Sequence, residues 1–169
     1  MRRLVVLLAL LVAVPTVAEA QPRLMGGVGF TAPTGAISDA ADPGYHVRGA
    51  LRIGVPTTPI ALQADGTYHK LGTANVANAD TQVLSGALSV VFTLPGIGIQ
   101  PYLLGGIGTY RVKNGPVGAS ATVTDTGYHG GFGITLGGLG FGGFAEVRFI
   151  QIDSPVTTRL IPLTFGIRL

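Results

Sequence analysis

Residues Tyr45–Val55 alternate in polarity along their length. Tyr45, Val47, Gly49, Leu51, Ile53 and Val55 share one parity, and His46, Arg48, Ala50, Arg52 and Gly54 the other. Successive side chains of a strand point to opposite faces, so this pattern predicts a strand with one apolar and one polar face. The same period recurs in Ile60–Lys70, Leu84–Phe92, Tyr128–Leu136, Phe141–Gln151 and Ile161–Leu169, and more weakly in Arg23–Ala32 and Gln100–Val112. In the last of these, Tyr102, Leu104 and Tyr110 oppose Thr109 and Arg111. Eight segments of about ten residues result, the length that a tilted membrane strand requires.

The connections alternate as well. Long stretches (Pro33–Gly44, Leu71–Asp80, Lys113–Asp125) alternate with short ones (Pro56–Pro59, Leu94–Ile99, Gly137–Gly140), and Ile152–Thr158 closes the series. Asp39, Asp42, Asp80, Asp125 and Asp153 fall in the predicted long loops, and the short turns hold no charge. Short turns at one rim and longer loops at the other are the habit of an outer-membrane barrel, with the short turns periplasmic. The fold class predicted is all-β, an eight-stranded antiparallel up-and-down transmembrane β-barrel. Thr81–Tyr110 contains no charge and invites a helical reading, but Pro95, Pro101 and six glycines combined with period two argue for strands.

The cost of exposing a guanidinium to hydrocarbon assigns the faces. At mid-depth it is roughly 2–4 kcal/mol. Arg48, Arg52, Arg111, Arg148 and Arg168 lie opposite the large apolar residues, so these arginines are expected inside, with Asp65 and Glu146. Gly27, Gly29, Gly105, Gly131 and Gly133 are expected to make room for them. With four arginines (48, 52, 111 and 148) against two acids, the choice is between a path for anions and a polar plug. An eight-stranded interior is just wide enough for side chains to fill it, which favours the plug and argues against a general diffusion porin. Tyr45, Tyr68, Tyr102, Tyr110 and Tyr128 are all assigned to the lipid face, as an aromatic girdle at headgroup depth.

Composition narrows the class further. Of 169 residues 27 are glycine, more than twice the ~7% of average usage, and only 11% are charged. The absence of cysteine excludes a disulfide scaffold, a thiolate nucleophile and a cysteine-linked lipid anchor. Arg2 and Arg3, the uncharged run Leu4–Val14 and Ala18-Glu19-Ala20 read as a secretory signal peptide over residues 1–20, leaving the barrel at 21–169. Removing Arg2, Arg3 and Glu19 from 11 basic and 8 acidic residues leaves 9 and 7, too small an excess for a nucleic-acid partner.

The sequence resembles the small outer-membrane β-barrel families of Gram-negative bacteria, the OmpX-like and OmpW-like proteins and the broad outer membrane protein β-barrel domain group. Pro101-Tyr102-Leu103-Leu104-Gly105-Gly106-Ile107-Gly108, Gly130-Gly131-Phe132-Gly133, Phe144-Ala145-Glu146-Val147-Arg148-Phe149 and Ile161–Leu169 carry the resemblance. It implies an integral outer-membrane protein whose partners are lipid and lipopolysaccharide, and whose last strand is read by the barrel-assembly machinery. In these families that strand usually ends in an aromatic residue; here it ends in Leu169, with Phe165 four positions earlier.

For function the expectation is a structural or surface-interaction role, as a monomer, with no catalysis, cofactor or metal. A carrier of small hydrophobic molecules, as the OmpW-like resemblance implies, is the first alternative. It needs a dry apolar funnel, for which Met25, Leu103, Ile107 and Ile150 are too scattered. A lipid A-modifying enzyme is the second. His46, His69 and His129 are expected inward near the loop rim, but none is followed two residues later by serine, and no spacing joins Ser38, Ser85, Ser120 or Ser154 to a histidine and an acid. Three histidines on three strands do not reveal whether they converge on a metal. A soluble lipocalin-like barrel inverts the faces, with an apolar interior and a charged exterior.

Overall fold

Every segment that alternates in polarity is a strand in the computed structural model, which describes residues 22–35, 41–73, 80–114, 121–137, 141–153 and 158–169. The strands are β1 (Pro22–Thr34), β2 (Ala41–Gly54), β3 (Ile60–Thr73), β4 (Asp80–Thr93), β5 (Ile99–Asn114), β6 (Ala121–Gly137), β7 (Gly142–Ile152) and β8 (Thr158–Arg168). Each pairs antiparallel with its chain neighbours, and β1 pairs with β8, so the sheet closes as an up-and-down barrel of eight strands. Closure removes the unpaired edge that a lipid environment cannot satisfy. The proposed signal peptide, Asp39, Ser38, Ser120 and Ser154 lie outside the described residues.

The strands are longer than the alternation predicts, and the extra length lies at one end. Asp42, Asp80 and Asp125 belong to strands, not to loops. The bounds leave between four and six residues for every connection, so the expected contrast of long and short connections is largely absorbed into β2, β3, β4, β5 and β6. Polar residues such as Thr122, Thr124 and Thr126 mask strand character when hydrophobic alternation is the only signal. Their backbone bonds come from pairing with β5, from Thr109↔Thr126 to Asn114↔Ala121. The end bearing the 55–59 and 94–98 turns, with Pro22 and Leu169, is called the turn end below, and the opposite one the loop end. Thr57 takes the left-handed conformation (φ 62°) in the first of these turns, where Thr58 Oγ1 donates to the Val55 carbonyl at 2.9 Å.

The outer wall is apolar. Leu24, Val28, Phe30, Val47, Leu51, Leu62, Leu84, Leu88, Leu103, Ile107, Phe132 and Phe165 all project outward, exposed. Gly26, Gly49, Gly66 and Gly86 are register partners in a row across β1–β4, and a Cβ added at Gly26, Gly49 or Gly86 would meet nothing. This polarity, apolar out and charged in, is the reverse of a lipocalin-like barrel.

β5 departs from the predicted faces. Tyr102 and Tyr110 are inside the barrel, each 1% exposed, whereas Arg111 and Gly105 face outward. Both faces of Ile99–Asn114 carry apolar residues, with Ile99, Leu103 and Ile107 on one and Tyr102, Leu104 and Tyr110 on the other. Alternation therefore leaves the phase undetermined, and a one-residue slip exchanges the faces. Register with the neighbours fixes it. Tyr102 pairs with Gly133, where the missing side chain leaves space for the phenol ring. Arg111 lies three residues before the loop end of β5, where the cost of an outward charge falls to about 0–1 kcal/mol.

Candidate functional site: a layered lumen

Inward residues stack in layers along the barrel. Nearest the loop end, Leu71, Val83, Tyr110, Ile150, Ile152 and Leu160 form a fully buried apolar cluster. One or two inward apolar residues at the end of each of five strands are too few to stand out from the alternation, so this layer has no local sequence signature.

Below it lie two of the histidines. His46 and His69 are cross-strand partners on β2 and β3, with ring centroids 5.2 Å apart. Thr31 Oγ1 bridges them, 2.9 Å from His46 Nδ1 and 2.8 Å from His69 Nδ1, and His46 Nε2 meets Thr164 Oγ1 at 2.9 Å. A hydroxyl both donates and accepts, so one threonine serves two rings. His129 stands apart and pairs through Nε2 with Ser89 Oγ at 2.8 Å. Among the described residues no group of three or more His, Asp or Glu is arranged to hold a metal ion.

The middle layer is ionic. Glu146, on β7, receives Arg48 from β2 in a two-pronged contact: Nη1 donates to Oε1, and Nη2 to Oε2 at 3.4 Å. Arg148 donates from Nε to the same Oε1 at 2.5 Å, and from Nη1 and Nη2 to the two oxygens of Asp65 at 3.3 and 2.9 Å. The Tyr102 hydroxyl donates to Glu146 Oε2 at 2.7 Å, and Gln63 Nε2 to Asp65 Oδ1 at 3.1 Å. Two arginines thus share two carboxylates, and all four side chains are buried. Buried charges survive only when paired and hydrogen-bonded, and bidentate guanidinium–carboxylate geometry is the strong form of that pairing. A cavity of about 10 Å³ lies between this layer and the histidines, lined by Arg48, Asp65, His69, Ser85, Arg148 and Thr164 among others. It has room for about one water molecule.

Arg52 hangs from the ionic layer toward the turn end. Its Nε donates to Gln63 Oε1 at 2.8 Å, its guanidinium covers the Tyr102 ring at 4.4 Å, and Nη2 is 3.9 Å from Glu146 Oε2. Smaller apolar groups, Ala61, Val91, Tyr102 and Leu104 on one side and Met25, Ala50 and Phe144 on the other, fill the space around it. Arg168, on β8, is also buried.

Of the seven residues expected in the interior polar cluster, the structure brings Arg48, Asp65, Glu146 and Arg148 into direct contact, with Arg52 alongside. Arg168 lies inward at the turn end, and Arg111 is outside. Of the five tyrosines expected on the lipid face, Tyr45, Tyr68 and Tyr128 project outward, while Tyr102 and Tyr110 fill the lumen. Sequence reasoning missed Thr31, Gln63, Ser89 and Thr164. Inward parity marks each of them, but only closure of the sheet shows which distant strand each one meets.

The sequence model of a family described as "Outer membrane protein beta-barrel domain" matches residues 4–163. No curated protein sequence matches the chain. Among solved structures, it is similar to Neisserial surface protein A, at 14% identity over 88% of this chain and 96% of that one, with a TM-score of 0.75. Ail, the attachment invasion locus protein of Yersinia pestis, is 18% identical over 89% and 99%, with a TM-score of 0.56. The outer membrane enzyme PagL is 17% identical over 87% and 98%, also with a TM-score of 0.56. At these identities the likeness is one of fold.

Proposed function

Because the chain belongs to the outer membrane protein β-barrel domain family and is an integral outer-membrane protein, we propose that it is a non-catalytic barrel with a structural or surface-interaction role and a lumen closed to solutes. On this reading residues 1–20 are a signal peptide, the turn end faces the periplasm, and the loop end is the surface offered to partners, lipopolysaccharide among them. The observation that carries the proposal is the ionic layer. Arg48, Glu146, Arg148 and Asp65 link β2, β3 and β7 across the bore, with an apolar layer packed above them. A solute would have to break several charge-assisted bonds in a low-dielectric interior to pass. The names of two proteins of similar fold, Neisserial surface protein A and Ail, the attachment invasion locus protein, agree with this reading.

Incorporation of the folded protein into planar bilayers tests it. Conductance indistinguishable from the protein-free membrane is expected, and steady open-channel current would overturn the closed lumen. For the surface role, cells with and without the protein, and with residues 115–120 replaced by a short glycine-serine turn, are compared for adhesion to purified lipopolysaccharide and to a sulfated polysaccharide. A difference that disappears with the replaced loop is expected.

The Ser89–His129 pair gives the enzyme alternative its one specific observation, since a histidine in contact with a serine hydroxyl is the core of a hydrolase. Both residues are buried in the lumen, and His129 Nδ1 has no hydrogen-bond partner among the described residues, so no carboxylate orients the ring. Mass spectrometry of lipid A from cells with and without the protein separates the two readings: unchanged acyl composition is expected, and loss of an acyl chain would establish the enzyme.

A further inference from the structure

The charge of the barrel is unevenly distributed along its axis. The loop end holds both signs, with Asp42, Asp125 and Asp153 as well as Lys70, Arg111, Lys113 and Arg159, and in the middle two arginines meet two carboxylates. At the turn end the described residues include Arg23, Arg52 and Arg168 and no Asp or Glu. These three lie on adjacent strands, β1, β2 and β8, and all on the inward face. Arg23 and Arg52 are direct cross-strand partners, and Arg168 is the partner of Met25, two residues from Arg23. Like charges placed opposite one another across a sheet repel.

They line one side of an open cavity. A cup of about 620 Å³ at the turn end is lined by Arg23, Arg52 and Arg168, with Thr58, Gln100 and Thr135 among its other walls, and no carboxylate lines it. Thr135 Oγ1 donates to the Gln100 carbonyl at 3.3 Å, which braces the wall facing the arginines. Arg52 is only 6% exposed; its Nε is bonded to Gln63, and its Nη2, 3.9 Å from Glu146 Oε2, has no acceptor at hydrogen-bond distance among the described residues. A buried donor on a charged group is costly to leave unmet. The carbonyl oxygen of Leu169, on the same rim, accepts from Leu24 N at 3.1 Å as part of the β1–β8 pairing.

We propose that this cup is a binding site for a dianionic phosphate group, a phosphate monoester or inorganic phosphate, entering through the turn end. Three guanidinium groups from three strands suit a compact tetrahedral oxyanion, whose several oxygens accept hydrogen bonds from different directions. The arginines point into the lumen and away from the outer wall, which selects a water-borne solute over the headgroup of a surrounding lipid. Arg52 stands between the cup and the ionic layer, its Nη2 3.9 Å from Glu146 Oε2, so on this proposal the site captures a ligand from one side and does not conduct it. That the open side is periplasmic rests on the orientation proposed above; the site itself does not.

The test is an NMR titration of the folded, isotope-labelled protein in detergent with inorganic phosphate, at ionic strength held constant with chloride. Saturable shifts are expected at backbone amides of Arg23, Ile53, Thr135 and Ile167, with none at the loop end. Arg23→Gln, at the partly exposed rim, and Arg168→Gln are each expected to weaken binding about tenfold. Arg111→Gln, on the outer wall, is expected to leave it unchanged. Diethyl phosphate, which carries a single charge as a phospholipid diester does, is expected to bind more weakly than phosphate. The proposal is overturned by the absence of a saturable response, by shifts that chloride reproduces, by an unchanged response in Arg23→Gln, or by succinate or diethyl phosphate binding as tightly as phosphate. Bilayer conductance reports on the closed lumen independently, so failure of one reading is distinguishable from failure of the other.

Discussion

Among the described residues five arginines point into this barrel, and they live in two environments. Arg48 and Arg148 sit at mid-depth in a packed layer, where two carboxylates, a tyrosine hydroxyl and a glutamine amide complete their surroundings. Arg23, Arg52 and Arg168 line one side of an open cup whose walls include no carboxylate. The same side chain ties the middle of the barrel together in one place and lines an open cavity in the other, where Arg52 still reaches Gln63 and Glu146. What separates them is the partner strand. β7 brings Glu146 and Arg148 to the middle layer, whereas at the turn end it contributes Gly142 and Phe144.

The comparison is broken most forcefully at Glu146. Glu146→Gln leaves Arg48 and Arg148 buried with half their counter-charge, and breaking a buried ion pair from one side costs about 3–5 kcal/mol. A lower urea midpoint should follow, with loss of the heat-dependent gel mobility that marks a folded barrel. Tyr102→Phe removes one hydrogen bond to the same carboxylate and keeps the ring beneath Arg52, so about 1.5–3 kcal/mol is expected by the same denaturation assay. Gly133→Ala drives a methyl into the Tyr102 phenol and the Ala145 carbonyl, with about 1–3 kcal/mol of overpacking; Gly49→Ala, on the open outer wall, should fall within about 0.5 kcal/mol of the parent. Arg23→Gln has the smallest effect. Midpoints for it and the parent should agree within about 0.5 kcal/mol in high salt, and the variant should be the more stable in low salt, where repulsion from Arg52 is unscreened. A large loss of stability in Arg23→Gln would mean that the mouth, like the middle, is a structural cross-link.

β2 and β5 mark the limits of what the sequence reveals. In β2 His46, Arg48 and Arg52 alternate with Val47, Leu51 and Ile53, and the inward face can be read directly. β5 carries large apolar residues on both faces, so the inward course of Tyr102 and Tyr110 depends on Gly133 and Gly127 in the next strand. Strand number, pairing order and the inward parity of the acids follow from local pattern. The contacts Arg48–Glu146, Thr31–His69 and Ser89–His129 do not, because each joins strands whose separation across the lumen is set by closure alone. The unequal distribution of charge along the axis is hidden in the sequence for a related reason: Arg23, Arg52 and Arg168 are far apart in the chain, and only β1 pairing with both β2 and β8 makes them neighbours.

The ionic layer also bears on the order of events in assembly. Arg48 and Glu146 are 98 residues apart in the chain, and Asp65 and Arg148 are 83 apart. They meet face to face across the bore, so an insertion intermediate with β1 not yet joined to β8 has the charges but not the contacts. Such a sheet stays dependent on water or on the assembly machinery to solvate its inner face until the seam closes. Once closed, the barrel cannot reopen at the seam without first pulling these pairs apart. Interactions absent from the transition state of folding act mainly by slowing unfolding. The layer should therefore act as a latch on the finished barrel, registering in its lifetime in the membrane more than in the speed with which it forms.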